Sequence, residues 1–240
     1  TGVSLTTLGF GTGNYNDRLM EQLADAGNGN YAYIDTLNEA NKVLVSEMSS
    51  TLQTIAKDVK IQIEFNPAVV AEYRLIGYEN RALKREDFNN DKIDAGDIGA
   101  GHTVTALYEI VLSGGKGARI EPLRYGKETV AAGSKDEIAL LRLRYKLPDS
   151  DNSKLIEQAL KTADIQRDAG KTSADFRFSA AVAAFGQLLR GGKYIGDFGY
   201  DDVAKLAQGA RGQDGFGYRG EFLTLVNLAK SLDSSRPVLR

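Results

Sequence analysis

The feature that most restricts the fold is a change of hydrophobic period near Lys57. Upstream, apolar residues recur at helical spacing, first as Leu19, Met20, Leu23 and Ala24, then as Ala40, Val43, Leu44, Met48 and Leu52. Downstream, Val59, Ile61, Ile63 and Phe65 alternate with Lys60, Gln62 and Glu64, the two-residue period of a half-buried strand. One chain therefore has to join a mixed helix and strand segment to a β segment. Such segregation predicts an α+β fold.

Before the switch, Gly2 to Gly9 reads as a strand turned by Gly9-Phe-Gly-Thr-Gly13, and Asn16 or Asp17 can cap the helix that follows. That helix ends at Gly27-Asn-Gly29, Asn30 to Asp35 forms a second strand, and the three make a βαβ unit. An amphipathic helix from Leu37 to about Ile55 comes next. After the switch, Pro67 stops the first β-period strand, Val69 to Tyr78 makes another, and Asn80 to Gly101 is a loop. His102 to Leu112 is the longest candidate, with Val104, Ala106, Tyr108, Ile110 and Leu112 on one face. Weaker alternation predicts a strand around Ile120 to Tyr125. From Glu137 to Leu147, Ala139, Leu141, Leu143 and Tyr145 face inward, while Leu140, Arg142, Arg144 and Lys146 face solvent. Residues Lys154 to Ala163 suit a helix better than a closing strand, because Leu155, Ile156, Ala159 and Leu160 follow helical spacing.

These strands, with no crossover helices between them, predict an antiparallel β-sandwich. Beyond Gly170 the pattern becomes helical, with helices expected at Phe176 to Leu189, Asp201 to Leu206 and Glu221 to Leu232. The expected division is 1–56 for the βαβα segment, 57–165 for the sandwich and 166–240 for a helical region packed on it.

Charge and residue usage narrow the chemistry. With 30 Lys+Arg against 32 Asp+Glu, the formal charge of -2 gives no electrostatic basis for nucleic acid or an anionic membrane surface. The absence of Cys removes thiolate chemistry and Cys-based zinc sites together, and a lone histidine, His102, excludes multi-histidine metal centres. No apolar run approaches the roughly 18 residues of a membrane span, so membrane insertion is not expected.

Two glycine motifs fail on spacing. In Gly9-Phe-Gly-Thr-Gly13-Asn14, asparagine holds the third position of a dinucleotide-binding G-x-G-x-x-G, and Gly13 comes one residue early. Gly170-Lys171-Thr172 imitates the end of a P-loop, but Ile165 stands where its first glycine belongs.

The loop Asp87 to Asp97 is the main ligand-bearing candidate. Asp87, Asn89 and Asp91 have the alternate spacing of EF-hand ligands, with Asp94 and Asp97 further along as additional oxygen donors. Lys92 replaces the turn glycine, and Ile98 stands where a bidentate Glu closes such a loop. An ordinary turn held by side-chain to backbone bonds is the competing reading. His102 can pair with Asp94 or Asp97 as an acid–base couple, although no nucleophile or oxyanion motif accompanies it. The interleaved Arg142, Arg144 and Lys146 read either as a basic stripe or as a solvated face. Tyr194, Phe198, Tyr200, Phe216, Tyr218 and Phe222 read either as an adhesive surface or as packing between helices.

Longer motifs carry a resemblance. Leu5-Thr-Thr-Leu-Gly-Phe-Gly, Asn16-Asp-Arg-Leu-Met-Glu-Gln-Leu-Ala and Gly27-Asn-Gly-Asn-Tyr-Ala-Tyr-Ile resemble the last third of a von Willebrand factor type A (VWA) domain. Asp94 to Glu109, Leu143-Arg-Tyr-Lys146, Phe178 to Arg190 and Gly217-Tyr-Arg-Gly-Glu-Phe-Leu223 are similar to the C-terminal extension of bacterial proteins of that type. The resemblance implies an exported or lipid-anchored protein of the cell envelope and a non-enzymatic adhesion or scaffold role with a protein partner. It also implies a divalent cation, magnesium or calcium, held by an Asp-x-Ser-x-Ser loop of the VWA domain upstream of Thr1. On this reading the chain itself holds no catalytic residue, no cofactor and no metal, and is a piece of something longer. Two strands cannot make that domain's parallel sheet, so the first segment is expected to expose apolar surface, rearrange or pair with another chain. The alternative is a calcium-regulated or enzymatic module using the Asp87 to His102 loop.

Overall fold

A computed structural model describes residues 3–11, 13, 15–78, 82–115, 119 and 136–234. Strands β1 (Thr7–Phe10) and β2 (Tyr31–Ile34) pair in parallel, joined by helix α1 (Asp17–Ala26), as the βαβ pattern requires. Asn16 caps α1 by accepting the Leu19 N–H at 3.0 Å. Tyr15 packs against β1, since a Cβ on Gly9 would stand 2.1 Å from its hydroxyl.

The helix expected from Leu37 to Ile55 is broken into α2 (Leu37–Asn41), a π-helical turn (Lys42–Ser46) and α3 (Met48–Leu52). Ser50 and Thr51 donate their hydroxyls to the Glu47 carbonyl at 2.7 and 3.2 Å, so polar side chains near the end of the segment bond the backbone locally. Strand β3 (Thr54–Phe65) then starts earlier than the period change marks.

β3 lies inside a four-stranded sheet ordered β5 (Gly96–Gly99), β3, β7 (Glu137–Lys146), β8 (Ser153–Lys161), antiparallel at each junction. β8 corrects the helical expectation for Lys154 to Ala163. Its residues pair with β7 from Glu137↔Lys161 to Lys146↔Ser153, and this long-range ladder outweighs the local spacing of four apolar residues. The register of β3 against β7 shifts between Lys57 and Lys60. Asp58, at φ 51°, sits in that bulge in the left-handed region, where aspartate is among the better tolerated residues. As a consequence Lys60 is 3% exposed and Ile61 is 49% exposed, the reverse of the simple alternation.

Strands β4 (Val70–Ile76) and β6 (Leu107–Leu112) form a separate two-stranded sheet. The strand expected from His102 is thus shortened, and residues 102–105 are exposed. The expected strand around Ile120 to Tyr125 lies outside the described residues. Helices α4 (Ala174–Leu189), α5 (Tyr200–Gln208) and α6 (Tyr218–Ser234) complete the chain near their expected positions. Ser173 caps α4, and the Asp202 carboxylate accepts the Gly199 N–H at 2.9 Å to start α5.

The mixture of antiparallel strands with helices makes the fold α+β. It falls into two compact units, one of residues 1–70, 80–104 and 122–162, the other of 71–79, 105–121 and 163–240. In the second, Ala181, Val203, Ala207 and Val226 are fully buried, with Phe178, Phe185 and Phe222 packed on them. Phe222 meets Phe178 and Phe185 edge to face at 5.3 and 5.4 Å, an arrangement that matches ring edge to ring face.

Candidate functional site

The bulge at Asp58 turns β3 toward the acidic loop. Ala95 donates its N–H to the Asp58 carboxylate at 3.2 Å, and Asp58 donates its own N–H to the Asp97 carboxylate at 3.2 Å. Lys146, from β7, places its ammonium 2.6 Å from the Asp58 carboxylate and 2.8 Å from the Asp91 carbonyl. Two residues earlier on β7, Arg144 reaches Asp91 at 3.1 Å and the Asn89 side-chain oxygen at 3.3 Å. Ser153, at the start of β8, donates to Asp91 as well. Lys60 donates to the carbonyls of Asp87 at 3.3 Å and Asn90 at 2.5 Å, while Phe88 is 4% exposed and anchors the loop in the apolar interior.

The electrostatics follow from these contacts. Burial acts to raise the Asp58 carboxyl, but the hydrogen bond from Lys146, the Ala95 N–H and the Lys146 charge outweigh it and hold it below the usual carboxylate range. Asp91 is lowered by Ser153 first and by Arg144 next. Lys146 is raised, mainly by its hydrogen bond to Asp58. Asp94 moves the other way. Burial raises it, and the charges of Asp58 and Asp97 add to the shift. Asp58 and Asp94 also share a hydrogen bond, which places two carboxyls of opposite tendency side by side.

The loop therefore has calcium-like ligands, but its oxygens are directed at protein cations. Asp91 and the Asn89 side chain meet Arg144, and the Asp87 carbonyl meets Lys60. No group of three or more His, Cys, Asp or Glu residues that could hold a metal ion occurs among the described residues. Exposed His102 donates its backbone N–H to the Gly99 carbonyl, and the structure gives its ring no hydrogen bond to Asp94 or Asp97. The arrangement can fasten a loop to a sheet by neutralising its charge. Sequence inspection placed Arg144 and Lys146 on a solvated face and Lys60 on a polar one; the signal it lacked was the bulge.

Other constellations lie elsewhere. In the first unit, Tyr15 donates to Tyr31 at 2.8 Å and Tyr31 donates to Asp17; burial first, then the bond to Asp17, raises the Tyr31 phenol far above its ordinary range. In the second unit, the Arg74 guanidinium lies 4.2 Å from the Tyr194 ring centroid, and Arg119 lies 5.2 Å from it. Glu109 bridges both arginines. The C-terminal aromatics thus divide between the two readings. Phe198, Tyr200 and Phe222 pack on the helical core, while Phe216 is 63% exposed and stacks on Tyr218 at 5.6 Å. An open apolar groove of 230 Å³ runs past Ile76, Leu107, Phe178 and Val182. No helix among the described residues is long and apolar enough to cross a membrane.

Comparison with known proteins gives two matches. The family described as "Uncharacterized protein YfbK, C-terminal" matches residues 50–232. The "Uncharacterized protein YfbK" of Escherichia coli (strain K12) is 51% identical over 231 residues, covering 95% of this chain and 39% of that protein. This chain thus spans about two-fifths of the length of the curated relative. No solved structure matches. With more than half its length matched by the family and half its residues shared with the relative, the chain belongs to the YfbK C-terminal family.

Proposed function

We propose that the chain is a non-enzymatic binding or scaffold module of a cell-envelope protein of the VWA kind. On this reading residues 1–56 are the last part of a VWA domain, and the rest supports contacts that domain makes with a protein partner. The observation that carries the reading is the parallel pair β1–β2, which has no third strand beside it among the described residues. Parallel strands ordinarily lie inside sheets covered on both faces. Here Phe10 is 61% exposed, and Leu5, Leu37 and Leu52 are also exposed. Such a surface suits further parallel strands beside it, supplied by an upstream segment.

The loop chemistry supports a structural task over a catalytic one, because Arg144 engages the Asp91 carboxylate, Lys146 the Asp91 carbonyl and the Asp58 N–H the Asp97 carboxylate. The proposal accordingly assigns the divalent cation to the upstream domain and no cofactor to these residues. A periplasmic or lipid-anchored location follows from the VWA resemblance. Limited proteolysis tests it in this chain and in a longer one that includes the upstream part. Residues 1–45 should be cut well before 57–232 in the short chain and should become protected in the longer one. Equal susceptibility of the two parts in both chains would refute it.

A further inference from the structure

Three elements of the second unit meet along one line. On β4, Arg74 and Ile76 are two residues apart and share a face, as do Leu107 and Glu109 on β6. On α4, Ala183 and Gln187 are one turn apart. Ile76, Leu107 and Ala183 line the 230 Å³ groove together with Phe178 and Val182, and Val182 is 44% exposed. Arg74, Glu109 and Gln187 make the adjoining layer, since the Arg74 guanidinium donates to Glu109 and, at 3.0 Å, to Gln187. The apolar groove therefore runs directly into the cationic cluster at Tyr194.

That cluster is not neutralised by its own carboxylates. Arg74, Arg119 and Lys193 lie 4.2, 5.2 and 5.1 Å from the centroid of the Tyr194 ring. Both arginines share Glu109, and Glu72 accepts the Arg119 backbone N–H at 2.8 Å. Exposed Lys193 makes no ion pair among the described residues, and Arg74 Nε is buried without a hydrogen-bond partner. Three cations thus outnumber two carboxylates, and the chain's own acceptors do not saturate the donors. Both features favour an incoming anionic group. Tyrosine and arginine held against one another also lose little freedom when a partner arrives, which suits an interface anchor.

We propose that this groove takes an acidic, amphipathic peptide segment of a protein partner, with apolar side chains against Ile76, Leu107 and Val182 and carboxylates toward Arg119 and Lys193. The argument for this occupant is charge complementarity. Positive charge at one end of an apolar groove selects an acidic segment over a neutral or basic one and fixes its direction. The helix rises about 1.5 Å per residue, so Phe178 to Gln187 spans roughly 14 Å, room for about four residues of extended peptide. The class of partner rests on the proposed function, but no residue of 1–56 takes part, so the proteolysis test of that function and the binding test here can fail separately.

The probe is a tetrapeptide of two leucines followed by two glutamates, blocked at both ends, titrated into the isotopically labelled chain and followed by amide chemical shifts. Saturable shifts at Ile76, Leu107, Val182 and Tyr194 are expected. Replacing both glutamates by glutamine should weaken binding about fivefold or more, and replacing both leucines by glycine should abolish it. In the protein, Val182→Glu should abolish binding and Lys193→Glu should weaken it about fivefold, each with wild-type circular dichroism. No saturable shift, equal binding of the glutamine peptide, or binding that persists in Val182→Glu would overturn the proposal. So would groove shifts that follow protein concentration without peptide, which would make a second copy the occupant.

Discussion

Replacing Lys60 by methionine tests how the central loop is held. The side chain is 3% exposed, and its ammonium donates to the Asp87 and Asn90 carbonyls. Methionine keeps most of the volume, so the change removes hydrogen bonds with little cavity. A hydrogen bond to a charged group contributes roughly 1.5–3 kcal/mol net. The 2.5 Å bond to Asn90 warrants that range, and the 3.3 Å bond to Asp87 adds little. Against this stands the relief of ammonium desolvation, which can make such replacements neutral when both partners of an ion pair are removed. Here only one partner goes and two carbonyls are left behind, so the loss should dominate. The net effect should be loosening of the loop by about 2 kcal/mol. Tryptic cleavage after exposed Lys92 reads this directly. When opening is fast relative to cutting, the rate follows the open population, so about 2 kcal/mol corresponds to a roughly thirtyfold increase. An unchanged or slower rate in a variant with wild-type circular dichroism would refute the reasoning, because desolvation relief would then be the larger effect.

Further perturbations test other parts of the account. Asp58 and Asp91 are depressed, so their contributions are present above the unfolded value of about 3.9 and disappear as pH falls through the lower folded values. Acid titration of urea midpoints should therefore show stability lost below about pH 4, with a shallower loss in Asp58→Asn. Asp94 is raised, and its contribution has the opposite sign: it is complete at low pH and is lost as pH rises through the folded value. Asp94→Asn should stabilise the protein at neutral pH and have no effect below the unfolded value; destabilisation at neutral pH would contradict the assignment. A Cβ on Gly99 would stand 1.6 Å from the Ser50 carbonyl oxygen, so Gly99→Ala should cost about 1–3 kcal/mol or more in denaturant unfolding. Phe222→Ala in the helical core should cost about 3–5 kcal/mol, and a loss below 1 kcal/mol would mean the aromatic cluster is not the core.

What could be read in advance depended on how local its cause was. Helices α4, α5 and α6 were legible because apolar residues such as Phe178, Phe185, Val203, Phe222 and Val226 recur at helical spacing within each. The βαβ unit was legible for the same reason. Strand β8 was not, because its conformation is imposed by pairing with β7 while its own residues also suit a helix. Nor was the burial of Lys60, which follows from a bulge at Asp58 that no spacing rule reports. The acidic loop stood out in the sequence as a run of oxygen-bearing side chains. Its partners, Lys60, Arg144, Lys146 and Ser153, come from three strands, and only the tertiary fold brings Lys60 to the Asp87 and Asn90 carbonyls and the others to Asp91.

Lys60, Arg144 and Lys146 hold this loop to the sheet, and the proposed function gives it a structural task and leaves any metal chemistry to an upstream segment. Calorimetric titration of the purified chain with calcium and with magnesium, beside the longer protein, tests it most directly. The account predicts no saturable heat from the short chain and binding only by the longer one. Saturable binding by the short chain, abolished in Asp91→Ala and Asp97→Ala, would contradict it and make the loop a cation site in its own right.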